Sequence, residues 1–227
     1  TGKRKEAMIR PLASFTANLE DAAQLIGASL RGSNLAFTGA THVDTDVEPG
    51  DLFIAIPGAR VHGATFIESA MKRGAVAVLT DEAGLNYCKG IPALVVNDVR
   101  TAGALVAASL YKYPTRDLTS IGITGTNGKT TVSTLLYQIF HAVGRDTGLI
   151  GTVETRIGTE VVKSSRTTPE APELQALAAV MRERHMRHLV MEVSSHALSL
   201  KRVKGSHFAI AAFTNLSQDH LDFHKDM

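Results

Sequence analysis

The sequence has 227 residues, enough for one large domain or two small ones with hydrophobic cores. Hydrophobic residues make up 44% and charged residues 20%, which excludes a disordered chain, and the formal net charge of +2 is too small to indicate binding to nucleic acid or to a membrane surface. No apolar run reaches membrane-spanning length, and Cys88 is the single cysteine. We therefore predict a cytoplasmic protein without a disulfide framework.

Three short apolar runs in the first half, at 52–56, 76–79 and 94–96, predict buried strands. Helical patterns lie at 65–73 and at 100–111. The polar stretch Tyr113 to Asp117 contains a proline that stops a helix and separates two differently patterned halves. These features predict an α/β N-terminal domain over residues 1–116 and a second domain over residues 117–227.

The second half alternates strands and helices. The predicted strands lie at 120–124, 188–193 and 208–214, and the predicted helices at 132–143 and 174–184. Such alternation indicates a parallel sheet with helices on both faces. Ligands bind such sheets beyond the carboxyl ends of the strands, and the polar residues of interest fall there.

A glycine-rich turn followed by a lysine and two threonines predicts a phosphate loop at 125–131. The strict motif is not met because position 123 is Ile, but the strand before the turn and the helix after it favour ATP binding over a simple helix start. Lys129 can reach the terminal phosphates, and the Thr130 hydroxyl can bind Mg²⁺. The residues predicted to bind the nucleotide are Gly125, Thr126, Asn127, Gly128, Lys129, Thr130 and Thr131.

Two further strand ends carry groups that bind metals. Glu192 follows Leu189-Val190-Met191 near the end of the strand predicted at 188–193, and a carboxylate at a sheet edge is costly to bury unless a cation such as Mg²⁺ accompanies it. His220 follows the last predicted strand. The residue alone leaves both a metal ligand and a structural histidine open at this position.

Three segments together resemble the central signatures of the Mur ligase family: Thr124 to Thr131, Met191 to His196 and Phe213 to His220. Residues 50–58, followed by His62 and Gly63, resemble the uridine-binding first domain of that family. The resemblance extends from about Thr41 to the end of the sequence. Taken together, the segments 167–169 and 192–198 are most similar to the motifs of those family members that add a diamino acid.

This resemblance implies a ligase of peptidoglycan precursor synthesis. Such an enzyme uses ATP and Mg²⁺ to convert UDP-N-acetylmuramoyl-L-alanyl-D-glutamate to an acyl phosphate and joins it to meso-diaminopimelate or L-lysine. The matched positions imply catalytic roles for Lys129, Glu192 and His220, and metal binding by Thr130, Glu192 and His220. The matched substrate-binding positions are Ala59, Arg60, Val61, Thr167, Thr168, Ser194 and Arg202.

The sequence departs from the family pattern in several places. Asp44 and Thr45 stand where relatives often have Ser-Arg, so the uridine contacts there are not assigned. Arg166 and Leu200 replace Asn and Gln of some relatives. The family's carbamylated lysine and third domain would follow Met227. We therefore expect an incomplete central ATPase domain and no ligase activity from these 227 residues alone.

Three alternatives stay open at this point. The chain could belong to another Mur ligase or to a ligase similar to folylpolyglutamate synthase, although Thr130-Thr131 and the first half disfavour the latter. It could also be a nucleotide-sugar-binding module without catalysis. The sequence predicts neither the amino acid that is added nor the oligomeric state.

Overall fold

The computed structural model describes residues 8–164 and 166–226. The chain forms two compact units that divide after Lys112. This division lies four residues before the boundary predicted after Arg116, so the short 3₁₀ helix Pro114–Arg116 belongs to the second unit.

The first unit contains seven strands and four α-helices among its described residues. In chain order they are β1 Ala17–Asn18, α1 Leu19–Ile26, β2 Ser29–Arg31, β3 Ala36–Phe37, β4 Gly39–Thr41, β5 Asp51–Ile54, α2 Ile67–Lys72, β6 Ala77–Thr80, α3 Glu82–Leu85, β7 Ala93–Val95 and α4 Val99–Leu110. Two 3₁₀ helices, Asp44–Asp46 and Gly63–Phe66, lie between these elements.

Five strands of the first unit form one sheet in the order β2-β7-β6-β5-β4. Strands β4 to β7 are parallel, and β2 pairs antiparallel with β7. The three predicted apolar runs correspond to β5, β6 and β7. Their side chains are buried, as expected of central parallel strands, with Phe53, Val78 and Ala93 in one core cluster.

The second unit contains six strands and four α-helices among its described residues. They are β8 Thr119–Thr124, α5 Lys129–Ala142, β9 Thr147–Ile150, β10 Glu154–Ile157, β11 Glu160–Lys163, α6 Ala171–Glu183, β12 His188–Glu192, α7 Ser195–Ser199, β13 Ile210–Phe213 and α8 Leu221–His224.

The sheet of the second unit has the order β11-β10-β9-β12-β8-β13. Strands β9, β12, β8 and β13 are parallel, which confirms the predicted parallel sheet. The hairpin of β10 and β11 adds two antiparallel strands that the sequence does not predict. Strand β13 is shorter than the predicted run 208–214.

Helices cover both faces of this sheet. Leu149 packs in the cluster formed with Tyr137 of α5. Its neighbour Gly148 points to the opposite face, where an added Cβ would collide with Met181 of α6. Glu192 pairs with Ile123, and Phe213 with Thr124, so the carboxyl ends of β12, β8 and β13 lie at one edge.

Within the described part of the chain, no helix is both long and apolar enough to cross a membrane.

Candidate functional site

The predicted phosphate loop lies between β8 and α5, the strand–turn–helix setting that such a loop needs. Gly125 and Gly128 have φ angles of 130° and 86°, a region that favours glycine. A Cβ added at Gly125 would collide with the Thr214 hydroxyl oxygen and would lie 2.9 Å from the Asn215 carbonyl oxygen. The loop therefore accommodates only glycine at position 125.

Lys129 begins α5, and its ammonium group lies over its own loop. It donates hydrogen bonds to the carbonyl oxygens of Gly125 at 2.7 Å and of Thr126 at 2.9 Å. The N–H groups in the first turn of α5 have no acceptor within the helix, and the helix dipole adds positive potential there. An ammonium group and a helix N-terminus are the two features that hold phosphate in such loops.

The segment that follows β13 holds the phosphate loop in place. The N–H groups of Thr126 and Asn127 donate to the backbone oxygen (2.9 Å) and the side-chain oxygen (3.1 Å) of Asn215. The Thr214 hydroxyl donates to the Asn127 carbonyl at 2.6 Å, and Ser217 N–H donates to the Thr126 hydroxyl at 2.9 Å. These bonds fix the backbone of the loop before any ligand binds.

Glu192 ends β12 with its side chain 1% exposed. One carboxylate oxygen accepts hydrogen bonds from the hydroxyls of Thr130 (2.9 Å) and Thr152 (3.0 Å), and the other accepts from Thr152 N–H at 2.9 Å. The Thr152 hydroxyl also lies 3.0 Å from the Thr167 hydroxyl oxygen. Three donors within the protein thus accompany the buried carboxylate, and metal binding by Glu192 stays a prediction.

Two predicted substrate-binding residues make bonds within the protein. Thr168 is fully buried, and its hydroxyl donates to the Glu192 carbonyl at 2.9 Å and accepts from Ser194 N–H at 3.1 Å. The Ser194 hydroxyl oxygen caps α7 by accepting from Ala197 N–H at 3.2 Å. These contacts give Thr168 a structural role, while the Ser194 hydroxyl still has its proton to donate.

Arg202 forms a largely buried ion pair. Its Nε donates to Glu170 Oε1 at 2.9 Å, and the two side chains are 14% and 8% exposed. Arg202 Nη1 also donates to the Thr168 carbonyl at 3.3 Å. Glu170 thus balances the positive charge of Arg202, a residue to which the family resemblance gives a role in substrate binding.

A cavity of about 490 Å³ opens beside the phosphate loop. Gly125, Thr126, Lys129, Ser194 and His220 are among its lining residues. The His220 ring is about half exposed and lies 4.7 Å, centroid to centroid, from the His196 ring. Burial lowers the pKa of His196, and the charges of His220 and His224 lower it further.

The oxygens around Glu192 fit a magnesium ion. No group of three or more His, Cys, Asp or Glu that could hold a metal occurs in residues 8–164 and 166–226. Mg²⁺ typically takes one or two carboxylates, with water and phosphate oxygens completing its shell. Thr130 Oγ1 and Glu192 Oε2 are 2.9 Å apart, which matches adjacent ligands of an octahedral ion with bonds of about 2.0–2.1 Å.

In the first unit, Ala59, Arg60 and Val61 are exposed on a loop between β5 and the 3₁₀ helix Gly63–Phe66. A bridge between Pro57 and His62 closes this loop. His62 Nδ1 accepts from Ala64 N–H at 3.0 Å, so its Nε2 carries the proton that faces Asp81 Oδ1 at 3.0 Å.

Comparison with known proteins identifies the chain. The model of the Mur ligase middle domain matches residues 123–227, and that of the Mur ligase family catalytic domain matches residues 44–113. The chain belongs to the Mur ligase family.

Among the relatives of this Mur ligase chain is the UDP-N-acetylmuramoyl-L-alanyl-D-glutamate–2,6-diaminopimelate ligase of Streptomyces avermitilis. It is 52% identical over 220 residues, which are 96% of this chain and 43% of that protein. The Corynebacterium glutamicum protein of the same name is 54% identical over 180 residues, 78% of this chain and 35% of that protein. The chain therefore spans less than half the length of these relatives.

A solved structure with that ligase name is also similar to the Mur ligase chain. It is 29% identical, with a TM-score of 0.65, and the match covers 82% of this chain and 37% of that one. This agreement in fold supports the α/β architecture described above.

The structure brings the predicted site residues of the Mur ligase chain into three groups. The first group lines the cavity and contains Gly125, Thr126, Lys129, Ser194 and His220. The second group shares one hydrogen-bond network and contains Thr130, Glu192 and Thr167. The third group, residues 59–61, lies in the first unit. The roles of all of them in binding stay predictions. Sequence reasoning did not find Thr152, Glu170, Asn215 or the His62–Asp81 pair, because each depends on a contact distant in sequence.

Proposed function

We propose that this chain supplies the nucleotide-binding and UDP-sugar-binding parts of an ATP-dependent ligase. The ligase adds a diamino acid, meso-diaminopimelate, to UDP-N-acetylmuramoyl-L-alanyl-D-glutamate in peptidoglycan precursor synthesis. The second unit binds ATP, and the first unit binds the uridine nucleotide through the loop at 59–61. The cytoplasmic location stays a prediction of the sequence.

One observation carries this proposal above the others. The Thr130 hydroxyl of the phosphate loop donates to Glu192, and Glu192 is joined through Thr152 to Thr167. A site for a metal-bound nucleotide and a predicted contact of the muramoyl-peptide thus belong to one network. That arrangement suits the transfer of a phosphoryl group from ATP to a carboxylate of the peptide.

In the proposed reaction, the side-chain carboxylate of D-glutamate attacks the γ-phosphorus of ATP, and ADP leaves. The amine of the diamino acid then attacks the acyl carbon, phosphate leaves and an amide forms. Lys129 balances the negative charge on the transferred group. Thr130 and Glu192 are the residues that would hold Mg²⁺, which supplies further positive charge beside the phosphates.

Calorimetry on this chain tests the proposal. We expect UDP-N-acetylmuramoyl-L-alanyl-D-glutamate to bind about tenfold more tightly than UDP-N-acetylmuramic acid, because only the former carries the dipeptide that reaches Thr167 and Ser194. One charge-assisted hydrogen bond is sufficient for a difference of this size. Equal affinity for the two nucleotides, or no binding by a folded sample, would contradict the muramoyl-peptide assignment.

A further inference from the structure

Four side-chain oxygens form a continuous chain across the proposed site. Thr130 Oγ1 lies 2.9 Å from Glu192 Oε2, which lies 3.0 Å from Thr152 Oγ1, which in turn lies 3.0 Å from Thr167 Oγ1. Thr152 is exposed at the end of β9, and neither the sequence motifs nor the proposed reaction gives it a role. Its hydroxyl contacts both Glu192 and Thr167 and so joins the two halves of this chain of oxygens.

The number of hydroxyl protons limits which hydrogen bonds this chain of oxygens can form at one time. A threonine hydroxyl has one proton, so Thr152 donates either to Glu192 or to Thr167, never to both. While Thr152 donates to Glu192, the contact with Thr167 is made by the Thr167 proton. Thr167 can then only accept a hydrogen bond from a ligand.

A cation bound at Glu192 Oε2 would change this arrangement. The oxygen would share its lone pairs with the cation, and the Thr152 hydroxyl could turn its proton to Thr167. The Thr167 proton would then be free to donate to a carbonyl or carboxylate oxygen of a ligand. Binding at one end of the chain of oxygens would thus change the donor state at the other end.

We propose that Thr152 is a positioning residue that couples the two ligands of this site. Binding of the magnesium–nucleotide at Glu192 makes Thr167 a hydrogen-bond donor and thereby strengthens binding of the acidic muramoyl-peptide. Because coupling between binding sites is reciprocal, the peptide strengthens nucleotide binding by the same factor. The inference rests on the proposed function, which assigns Glu192 to the nucleotide and Thr167 to the peptide.

A substitution can remove the Thr152 hydroxyl and still leave the backbone hydrogen bond of this residue to Glu192. The Thr152 N–H group holds Glu192 Oε1 at 2.9 Å, and a valine at this position keeps that bond and the shape of the side chain. Since the side chain is exposed, its methyl groups would replace no core contact. Thr152→Val therefore removes the oxygen that links Glu192 to Thr167, whereas Thr152→Ser retains it.

The test is a ratio of affinities measured by calorimetry. UDP-N-acetylmuramoyl-L-alanyl-D-glutamate is titrated into the chain with and without a saturating non-hydrolysable ATP analogue and magnesium. The wild-type chain should bind the peptide nucleotide about fivefold more tightly, or better, when the ATP analogue is present, a typical coupling. The ratio should fall to about one in Thr152→Val and return in Thr152→Ser.

A wild-type ratio that persists in Thr152→Val would overturn the inference, as would a ratio of one in the wild type. If the wild type binds neither ligand, the proposed function itself fails. Should Thr152→Val lose its melting transition, Thr167→Val removes the far end of the same chain. Its ratio is also expected to fall to about one, and an unchanged ratio would again reject the coupling.

Discussion

The two loops proposed to bind nucleotides differ in how the protein holds them. The loop at 125–128 is bonded along its length to the segment after β13. The loop at 57–62 is closed at its ends by the Pro57–His62 bridge, and Ala59, Arg60 and Val61 between them are exposed. Phosphate transfer needs donors fixed in advance, whereas binding of a nucleotide sugar tolerates a loop that adjusts.

The largest expected effect follows from removing the fixed geometry of the first loop. In Gly125→Ala, the added Cβ collides with Thr214 at a φ of 130°, so the loop must move. We expect affinity for the magnesium–ATP analogue to fall about 100-fold, because the loss of two charge-assisted hydrogen bonds to phosphate costs about 3 kcal/mol. Calorimetry measures this change, and Gly144→Ala is the control because it has a φ of 72° but no atom within 4 Å of its Cβ. Equal losses in the two variants would show that backbone conformation alone is responsible.

The second unit, which holds the fixed loop, also contains the largely buried ion pair between Arg202 and Glu170. Glu170→Ala leaves a largely buried guanidinium without its carboxylate, so we expect a loss of about 3 kcal/mol in the free energy of unfolding. Denaturant unfolding measures this loss. Glu68→Ala breaks the exposed pair with Lys72 and should leave stability unchanged. Similar unfolding curves for both variants would mean that the buried pair contributes no more than the exposed one.

In the exposed loop at 57–62, we expect a substitution to change binding and not stability. Arg60→Ala removes a side chain on the surface, so we expect the melting temperature to stay unchanged. Affinity for the peptide nucleotide should fall about tenfold through the loss of a charge-assisted contact with the diphosphate. Arg31→Ala, an exposed arginine on β2, is the matched control and should bind normally. Normal binding by Arg60→Ala would place the uridine contacts outside this loop.

The smallest effect concerns the His62–Asp81 bond, which holds His62 at the end of the exposed loop. Burial alone would raise the pKa of Asp81, but hydrogen bonds from Gly84 N–H and His62 outweigh it and lower that pKa below 3.8. The stabilisation is therefore complete above about pH 5 and is lost as the pH falls through the lower folded-state pKa. Asp81→Asn should cost about 0.5 kcal/mol at pH 7, discounted for solvent exposure, and less near pH 2. The same loss at both pH values, measured by unfolding, would exclude the charge as its cause.

Strands that contain an apolar run could be predicted from the sequence, whereas strands without such a run could not. Strands β5, β6, β7 and β12 contain continuous apolar runs because they are buried on both faces. Strand β9 is short and contains Gly148, and the β10–β11 hairpin alternates with polar residues, so neither gives such a run. Helix α1 does carry signals, since Asn18 caps its start and Gly27 its end, and a search for capping residues would have predicted it.

The site shows the same division between local and distant information. The phosphate loop, Glu192 and the Thr167-Thr168 pair lie in short motifs that a sequence displays directly. Thr152 and Asn215 lie 40 and 88 residues from the groups that they bond. Glu170 is adjacent to a motif, but only the fold shows that it neutralises Arg202.

The most direct test of the account is whether Lys129 and its loop bind the phosphates of ATP. Calorimetry compares the binding of a non-hydrolysable ATP analogue with magnesium to the wild-type chain and to Lys129→Ala. Since the ammonium group donates to the carbonyls of its own loop rather than to the core, the variant should keep its melting temperature and lose at least about tenfold in affinity. Undiminished affinity in a folded Lys129→Ala chain would contradict the account, because the phosphates would then lie elsewhere.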